Sequence, residues 1–172
     1  RISRAYIPYQ QFANRIGLDN PKATCIAAGP LYNMEFRYQQ HQAMLNAVEK
    51  IKAADKAFGE TFGRSYGGVW AYKCDDAEAI LITLGSVAGT TRCVVDEMRE
   101  QGKKVGLLKI RCMRPFPREG DRGGREECEV RGRLEKDVSF GFEGVVYTDV
   151  SSALKSAGVE IPAANYVGGL GG

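Results

Sequence analysis

Hydrophobic positions between residues 77 and 117 predict one β-α-β unit. The apolar run at 79–84 has no polar alternation, which is typical of a strand buried on both faces of a parallel sheet. Apolar residues then recur at helical spacing over 87–101, and a glycine follows, where helices commonly end. A second apolar strand, at 105–110, stops before two prolines, which have no amide to donate to a ladder.

The segments around this unit predict the rest of an α/β fold. Residues 1–32 form an irregular arm, and 34 to about 62 carry the longest helical pattern, with an apolar and a charged side. A glycine-rich bridge, 64–76, leads into the β-α-β unit. Further on, 145–157 fit a helix and 161–167 a strand. The order predicts a mostly parallel sheet with flanking helices, preceded by a long amphipathic helix that lies on a larger body.

Residues 120–133 interrupt this pattern. They are polar and rich in glycine, although an α/β sheet needs another helix and strand here. An exposed loop is one interpretation. The other is a compensated shift of the reading frame. One choice of codons for 121–133, read one base later, encodes IAEAVKNVKCVA and then a valine. The original reading frame resumes at Leu134. The shifted text has the pattern of an amphipathic helix followed by a buried strand, and we favour it.

Composition and charge exclude several classes of function. The 172 residues are 44% hydrophobic and 26% charged, as in ordinary globular proteins, and the net charge of +3 is too weak and scattered for nucleic-acid binding. No apolar run is long enough to cross a membrane. The five cysteines are widely spaced without a CxxC pair, so we expect reduced thiols in a cytoplasmic protein and no metal cluster.

Two features invite a ligand, and for each we favour a structural role. Gly85 and Ser86 follow a strand and precede a helix, a position that can hold an anion, and a nucleotide-binding module is one alternative. The segment lacks GxGxxG spacing, however, so we favour a tight turn with Ser86 capping the helix. His41 is the single histidine. It lies on the apolar side of the long helix, where a packed residue is favoured over a general base.

Short motifs along nearly the whole chain resemble those of 2-oxoacid:ferredoxin oxidoreductase alpha subunits, of which the pyruvate enzyme is the commonest type. No single motif is unique, but their number and order make the resemblance specific, and 120–133 is the departure from it. The motifs are MEFRYQQ at 34–40, FGRSYG at 62–67, TLGSVAGT at 83–90, GKKVG at 102–106, RPFP at 114–117, VSFG at 138–141 and GGLGG at 168–172.

The resemblance implies two parts. Residues 1–71 correspond to the arm, long helix and linker at the end of a first domain. Residues 72–172 correspond to a second domain similar to the C-terminal domain of transketolases, which mainly supports assembly. The chain begins without methionine, and we expect it to be a fragment of a longer polypeptide that is inactive alone. The expected interface residues, which face neighbouring domains or subunits, are Glu35, Arg37, Arg111, Arg114 and Phe116.

The resemblance also implies a reaction and its components. The complete enzyme oxidatively decarboxylates pyruvate or a related 2-oxoacid to acyl-CoA, carbon dioxide and reduced ferredoxin, using thiamine diphosphate, Mg and iron–sulfur clusters. This chain is expected to bind none of these cofactors. Its expected partners are a beta-type thiamine-binding subunit, ferredoxin-like and gamma-type subunits or domains, ferredoxin and coenzyme A, within an oligomer. The alternatives are an enzyme for a branched-chain or other 2-oxoacid, and a non-catalytic protein-binding assembly domain.

Overall fold

The computed structural model describes residues 17–19, 21, 29–117, 130–160 and 162–169. The chain groups into two compact units, 1–40 and 41–172. The described elements are helix α1 (Pro30–Phe62), strand β1 (Val69–Tyr72), strand β2 (Ala79–Leu84), helix α2 (Val87–Glu100), strand β3 (Val105–Ile110), strand β4 (Val130–Glu135), helix α3 (Val145–Ser156) and strand β5 (Ala163–Val167).

Helix α1 begins four residues before the predicted start, at Pro30. Proline suits the first helical position, because its missing amide would have no partner there and its φ is already helical. The helix ends at Phe62, and Gly63 follows with a φ of 68°, which glycine adopts without strain. No described residue of α1 is buried within this chain, and His41 is exposed, so its predicted packing on the apolar side of the helix stays a prediction.

The described strands form one sheet in the order β1-β3-β2-β4-β5. Strands β3, β2, β4 and β5 are mutually parallel, and β1 pairs with β3 in the antiparallel sense. The predicted parallel α/β sheet with flanking helices is therefore confirmed. The residues of strand β1 were predicted to be part of a glycine-rich bridge. The strand lies across the predicted domain boundary between 71 and 72, and this boundary stays a prediction.

Alternation along β3 places the core on both faces of the sheet. Leu107 packs with Ala88 and Val95 of α2. Its neighbour Leu108 belongs to the larger cluster, which includes Val150 of α3. Because adjacent strand residues point to opposite faces, α2 and α3 cover opposite sides of the sheet.

Strand β4 supplies the strand that the pattern required between β3 and α3. It lies between β2 and β5, the position expected of a buried strand. The predicted helix at the start of 120–133 lies outside the described residues. Within β4, Arg133 is 0% exposed, which is exceptional for a cation in a parallel strand.

Candidate interdomain site

The linker between α1 and β1 is held at one end by Asp55 of α1. Its carboxylate accepts a hydrogen bond from the Ser65 hydroxyl and another, at 2.7 Å, from the Tyr66 amide. These two bonds, that from Ser65 first, hold the pKa of the Asp55 carboxyl below its usual range. The linker therefore folds back on the last turns of α1 and does not leave it as a free tether.

The other end of the linker is held by Arg111, which directly follows β3. Its guanidinium donates to the Tyr66 carbonyl oxygen at 2.5 Å. The guanidinium carbon lies 4.9 Å from the centre of the Tyr66 ring and 5.7 Å from that of Trp70. The backbone amide of Arg111 also donates to the Gly68 carbonyl oxygen, at 2.9 Å. One residue thus fixes the linker to the sheet through an ordinary bond, a charge-assisted bond and two cation–π contacts.

Arg114 and Phe116 are also engaged inside the chain. Arg114 forms an ion pair with Asp149 of α3, with a nitrogen–oxygen distance of 2.7 Å. Phe116 is half-buried and packs against the larger core cluster. Both therefore fix the segment after β3 to the body of the sheet domain, and their predicted role at an interface stays a prediction.

Glu35 and Arg37 lie on the exposed surface of the first half of α1. Glu35 accepts a hydrogen bond from Gln39 at 2.8 Å, and Arg37 donates to Gln40 at 3.3 Å. Neighbours three and four residues apart on a helix form such contacts at little energetic gain. Both charged groups remain accessible from solvent, as their predicted interface role requires.

Gly85 and Ser86 form the predicted tight turn between β2 and α2. Gly85 has a φ of 73°, which explains why glycine stands there. Ser86 occupies the cap position, but its own φ and ψ are helical and its side chain forms no capping hydrogen bond. The predicted side-chain cap is therefore wrong, because a capping hydroxyl needs the extended backbone that Ser86 lacks.

The carboxyl edge of the parallel sheet carries several exposed apolar side chains. Leu84 ends β2, and β5 ends with Tyr166 and Val167; β4 lies between these two strands, so their ends flank Glu135 at the end of β4. The loop that follows β4 adds Phe140, which is 99% exposed, and Phe142, which is 72% exposed. In open α/β sheets this edge is where ligands are usually bound.

Glu135, the last residue of β4, binds the first backbone amides of α3. Its buried carboxylate accepts hydrogen bonds from the amides of Val146 at 2.8 Å and Tyr147 at 3.1 Å. A Cβ on Gly144 would lie 1.9 Å from a Glu135 carboxylate oxygen, so only glycine fits. This pair was not found from the sequence, although an acidic strand end followed by a glycine before a helix was the available signal.

The family model described as pyruvate:ferredoxin oxidoreductase core domain II matches residues 77–172. The chain belongs to this family. The matched range begins just before β2, so it contains β2 to β5 and both helices of the sheet domain, whereas β1 lies outside it although it is bonded to β3.

Relatives agree with the family assignment. Pyruvate synthase subunit PorA of Methanothermobacter thermautotrophicus is 38% identical over 168 residues, which cover 98% of this chain and 43% of the relative. PorA of Thermotoga maritima is 43% identical over 151 residues, 84% of this chain and 38% of the relative. Ketoisovalerate oxidoreductase subunit VorA of Pyrococcus abyssi is 39% identical over 156 residues, 90% and 39% respectively. The chain spans about two fifths of the length of these relatives.

The described part of the chain holds no group of three His, Cys, Asp or Glu residues that could bind a metal ion. Cys74 is buried, Cys93 is exposed and Cys112 is half-buried, and these three do not gather around one point. The turn at Gly85 lacks a GxGxxG cradle for a diphosphate. In the described ranges, no helix is long and apolar enough to cross a membrane.

Proposed function

We propose that this chain is part of the alpha subunit of a thiamine-dependent 2-oxoacid:ferredoxin oxidoreductase and that its role there is structural. The complete enzyme would convert a 2-oxoacid, coenzyme A and oxidised ferredoxin into acyl-CoA, carbon dioxide and reduced ferredoxin. The match of residues 77–172 to core domain II carries this proposal. Relatives named as subunits of pyruvate synthase and of ketoisovalerate oxidoreductase support it.

Several charged side chains bind other parts of the same chain, which supports a structural role. Arg99, which is largely buried, makes a bidentate contact with Asp76 at 2.7 and 2.8 Å. Arg111 holds the linker, and Arg114 holds α3 through Asp149. Each of these guanidinium groups is bonded to another part of the same chain. A scaffold that sets the position of α1 against the sheet uses its cations in this way.

The cofactors and partners of the complete enzyme belong to the same proposal. Thiamine diphosphate, Mg and the iron–sulfur clusters would be bound by other portions of the enzyme, in beta-type, ferredoxin-like and gamma-type subunits or domains. Ferredoxin and coenzyme A would act at those portions. Glu35 and Arg37, exposed on α1, are proposed to contact a neighbouring domain, and the assembly is proposed to be oligomeric and cytoplasmic.

Pyruvate is the proposed substrate, because PorA subunits dominate the similar proteins described above. A branched-chain 2-oxoacid is the second candidate, favoured by the 39% identity to VorA. A structural domain does not choose between these substrates. The proposal therefore requires that substrate preference follow the remainder of the subunit into which this chain is placed.

A pair of chimeric enzymes tests this requirement. The 172 residues replace the aligned stretch in PorA of Methanothermobacter thermautotrophicus and, separately, in VorA of Pyrococcus abyssi, each expressed with its own complete set of partner subunits. Dye reduction is then measured with pyruvate and with ketoisovalerate. A matched chimera keeps the host residues opposite 118–136, which separates failure of that segment from failure of the domain.

We expect each chimera to assemble, to remain active and to keep the preference of its host. If the VorA chimera instead acquires a preference for pyruvate, the chain determines specificity and the structural proposal is wrong. If neither the chimeras nor their matched controls assemble with the partner subunits, the assignment to this kind of complex is wrong.

A further inference from the structure

We propose that the apolar carboxyl edge of the sheet is a docking surface for the part of the alpha-type polypeptide that the relatives carry beyond the length spanned here. The surface, here called the edge patch, consists of Leu84, Val138, Phe140, Phe142 and Val167. This proposal rests on the proposed function, and it names the part of the polypeptide that the structural domain contacts.

The edge patch is assembled from three neighbouring strands. Leu84 ends β2, the two phenylalanines belong to the loop after β4, and β5 ends at Val167. Strand β4 pairs with both β2 and β5, and Glu135 is opposite Val167 in the register. Leu84 and Val167 therefore point to the same face on either side of Glu135, and the loop that follows Glu135 begins at the same edge. Tyr166 points to the other face, where its ring lies beside Gly132. Isolated apolar residues on a surface are ordinary, but a row of them marks a contact site.

The loop that carries the two phenylalanines is already ordered for binding. The Ser139 amide donates to the Glu143 carbonyl oxygen at 3.1 Å, and the Phe142 amide donates to that of Ser139 at 2.8 Å. Gly141 between the aromatic residues has a φ of 81°, which permits the tight turn. The far end of the loop is fixed by Glu135 beneath α3. A preformed loop loses little conformational entropy on association. Most of the free energy gained by burying its exposed rings is therefore available for binding.

The size of the edge patch favours a partner on the same polypeptide. A fully buried aromatic side chain contributes about 150–250 Å², and the three aliphatic side chains are only partly exposed, so the edge patch offers roughly 500 Å² on this side and about 1,000 Å² in total with a matching partner surface. Independent, stable complexes bury about 1,200–2,000 Å² in total, whereas interfaces between domains of one chain bury about 600–1,500 Å² in total. The patch is therefore small for a homodimer and large enough for a contact between tethered domains. Tethering raises the effective concentration and makes such a contact sufficient.

The relatives contain a tethered partner of the required kind. This chain corresponds to 43% of PorA from Methanothermobacter thermautotrophicus, so more than half of that subunit lies outside the shared stretch. The partner surface should be an apolar recess that accepts two phenyl rings. Its rim should be polar, to match Glu143 and Thr148, which are joined at 3.2 Å beside the loop.

Photocrosslinking in the assembled PorA chimera tests the proposal. Benzoylphenylalanine replaces Phe140 or Phe142, and the matched control carries it at Val94, which is 46% exposed on α2, away from the carboxyl edge. Crosslinked peptides are identified by mass spectrometry. We expect crosslinks from 140 and 142 to host PorA sequence outside the exchanged stretch, and at least a tenfold lower yield from 94.

A second measurement uses the double variant Phe140→Ser/Phe142→Ser. We expect hydrogen exchange in the crosslinked host peptide to become at least roughly tenfold faster in the variant chimera. Crosslinks to a second copy, to another subunit, or no more than the Val94 background in an active chimera would overturn the docking proposal alone. If neither the unsubstituted chimera nor its matched control with host residues opposite 118–136 assembles, the proposed function is wrong, and the docking proposal with it.

Discussion

Replacement of Arg133 by valine is expected to stabilise the sheet, because the position is wholly buried. Arg133 lies in β4 between β2 and β5, and its side chain is 0% exposed. Its guanidinium carbon is 5.3 Å from the centre of the Tyr147 ring. Moving a charged group into such surroundings costs several kcal/mol even when partners are present. A desolvated cation–π contact offsets about 2 kcal/mol of that cost.

The magnitude follows from the atoms exchanged at this position. Arginine and valine have the same number of aliphatic side-chain carbons, so the apolar contribution of Arg133→Val is close to zero. Loss of the guanidinium leaves a void of about 35 Å³, which costs about 1 kcal/mol at roughly 24 cal/mol per Å³. Replacing buried charges by apolar residues is typically neutral or stabilising by about 1–4 kcal/mol when no charged partner is left behind, and the aromatic partner Tyr147 leaves no buried charge. We expect the free energy of unfolding to rise by about 1–3 kcal/mol.

Urea unfolding followed by Trp70 fluorescence measures this change, since Trp70 is the single tryptophan and lies in β1. The midpoint should rise while the slope stays constant, because the surface exposed on unfolding is nearly unchanged. Arg92→Met, at an exposed position on α2, is the matched control and should shift stability by less than about 0.5 kcal/mol. If Arg133→Val instead lowers stability by more than about 1 kcal/mol, the desolvation argument is refuted.

Three further predictions concern the same domain. Gly144→Ala should lower the melting temperature by forcing Glu135 off α3, whereas Gly89→Ala, with open space around it inside α2, should raise it slightly. Arg99 lowers the pKa of Asp76, so their contact should stabilise the fold above about pH 4 and weaken as pH falls through the lowered pKa; Asp76→Asn should flatten urea-unfolding stability in that range. Intact mass of the natural protein should fit the shifted frame, and a peptide covering 122–125 as printed would contradict it.

Local patterns determined most of the sheet domain. Strands β2 and β3 were predicted at their observed bounds, and α2 and α3 each differ by one residue at the end. These segments have apolar runs or helical spacing together with glycine stops, so local preference and burial favour the same structure. The resemblance to 2-oxoacid:ferredoxin oxidoreductases, confirmed by the family match, depended on motifs in these segments and on others in the long helix, the linker and the loops.

Contacts between distant residues account for what was missed. Strand β1 has four residues and pairs only with β3 among the described strands, so no pattern of its own identifies it. The linker is shaped by Asp55 and Arg111, which are far apart in sequence and meet through Tyr66. Such contacts have no spacing rule, and a sequence without aligned relatives offers no other signal for them.

The structure gives an independent argument on the reading frame of the segment before Leu134. On the far side of that junction the fold is closely fitted: Glu135 caps α3, and Gly144 leaves the space its carboxylate needs. On the near side, the first residue is Arg133, a cation wholly enclosed between neighbouring strands. The shifted frame places a valine there, the residue type that a buried parallel strand favours. The buried cation thus lies next to the junction inferred from codons alone, and the shifted reading frame stays a prediction.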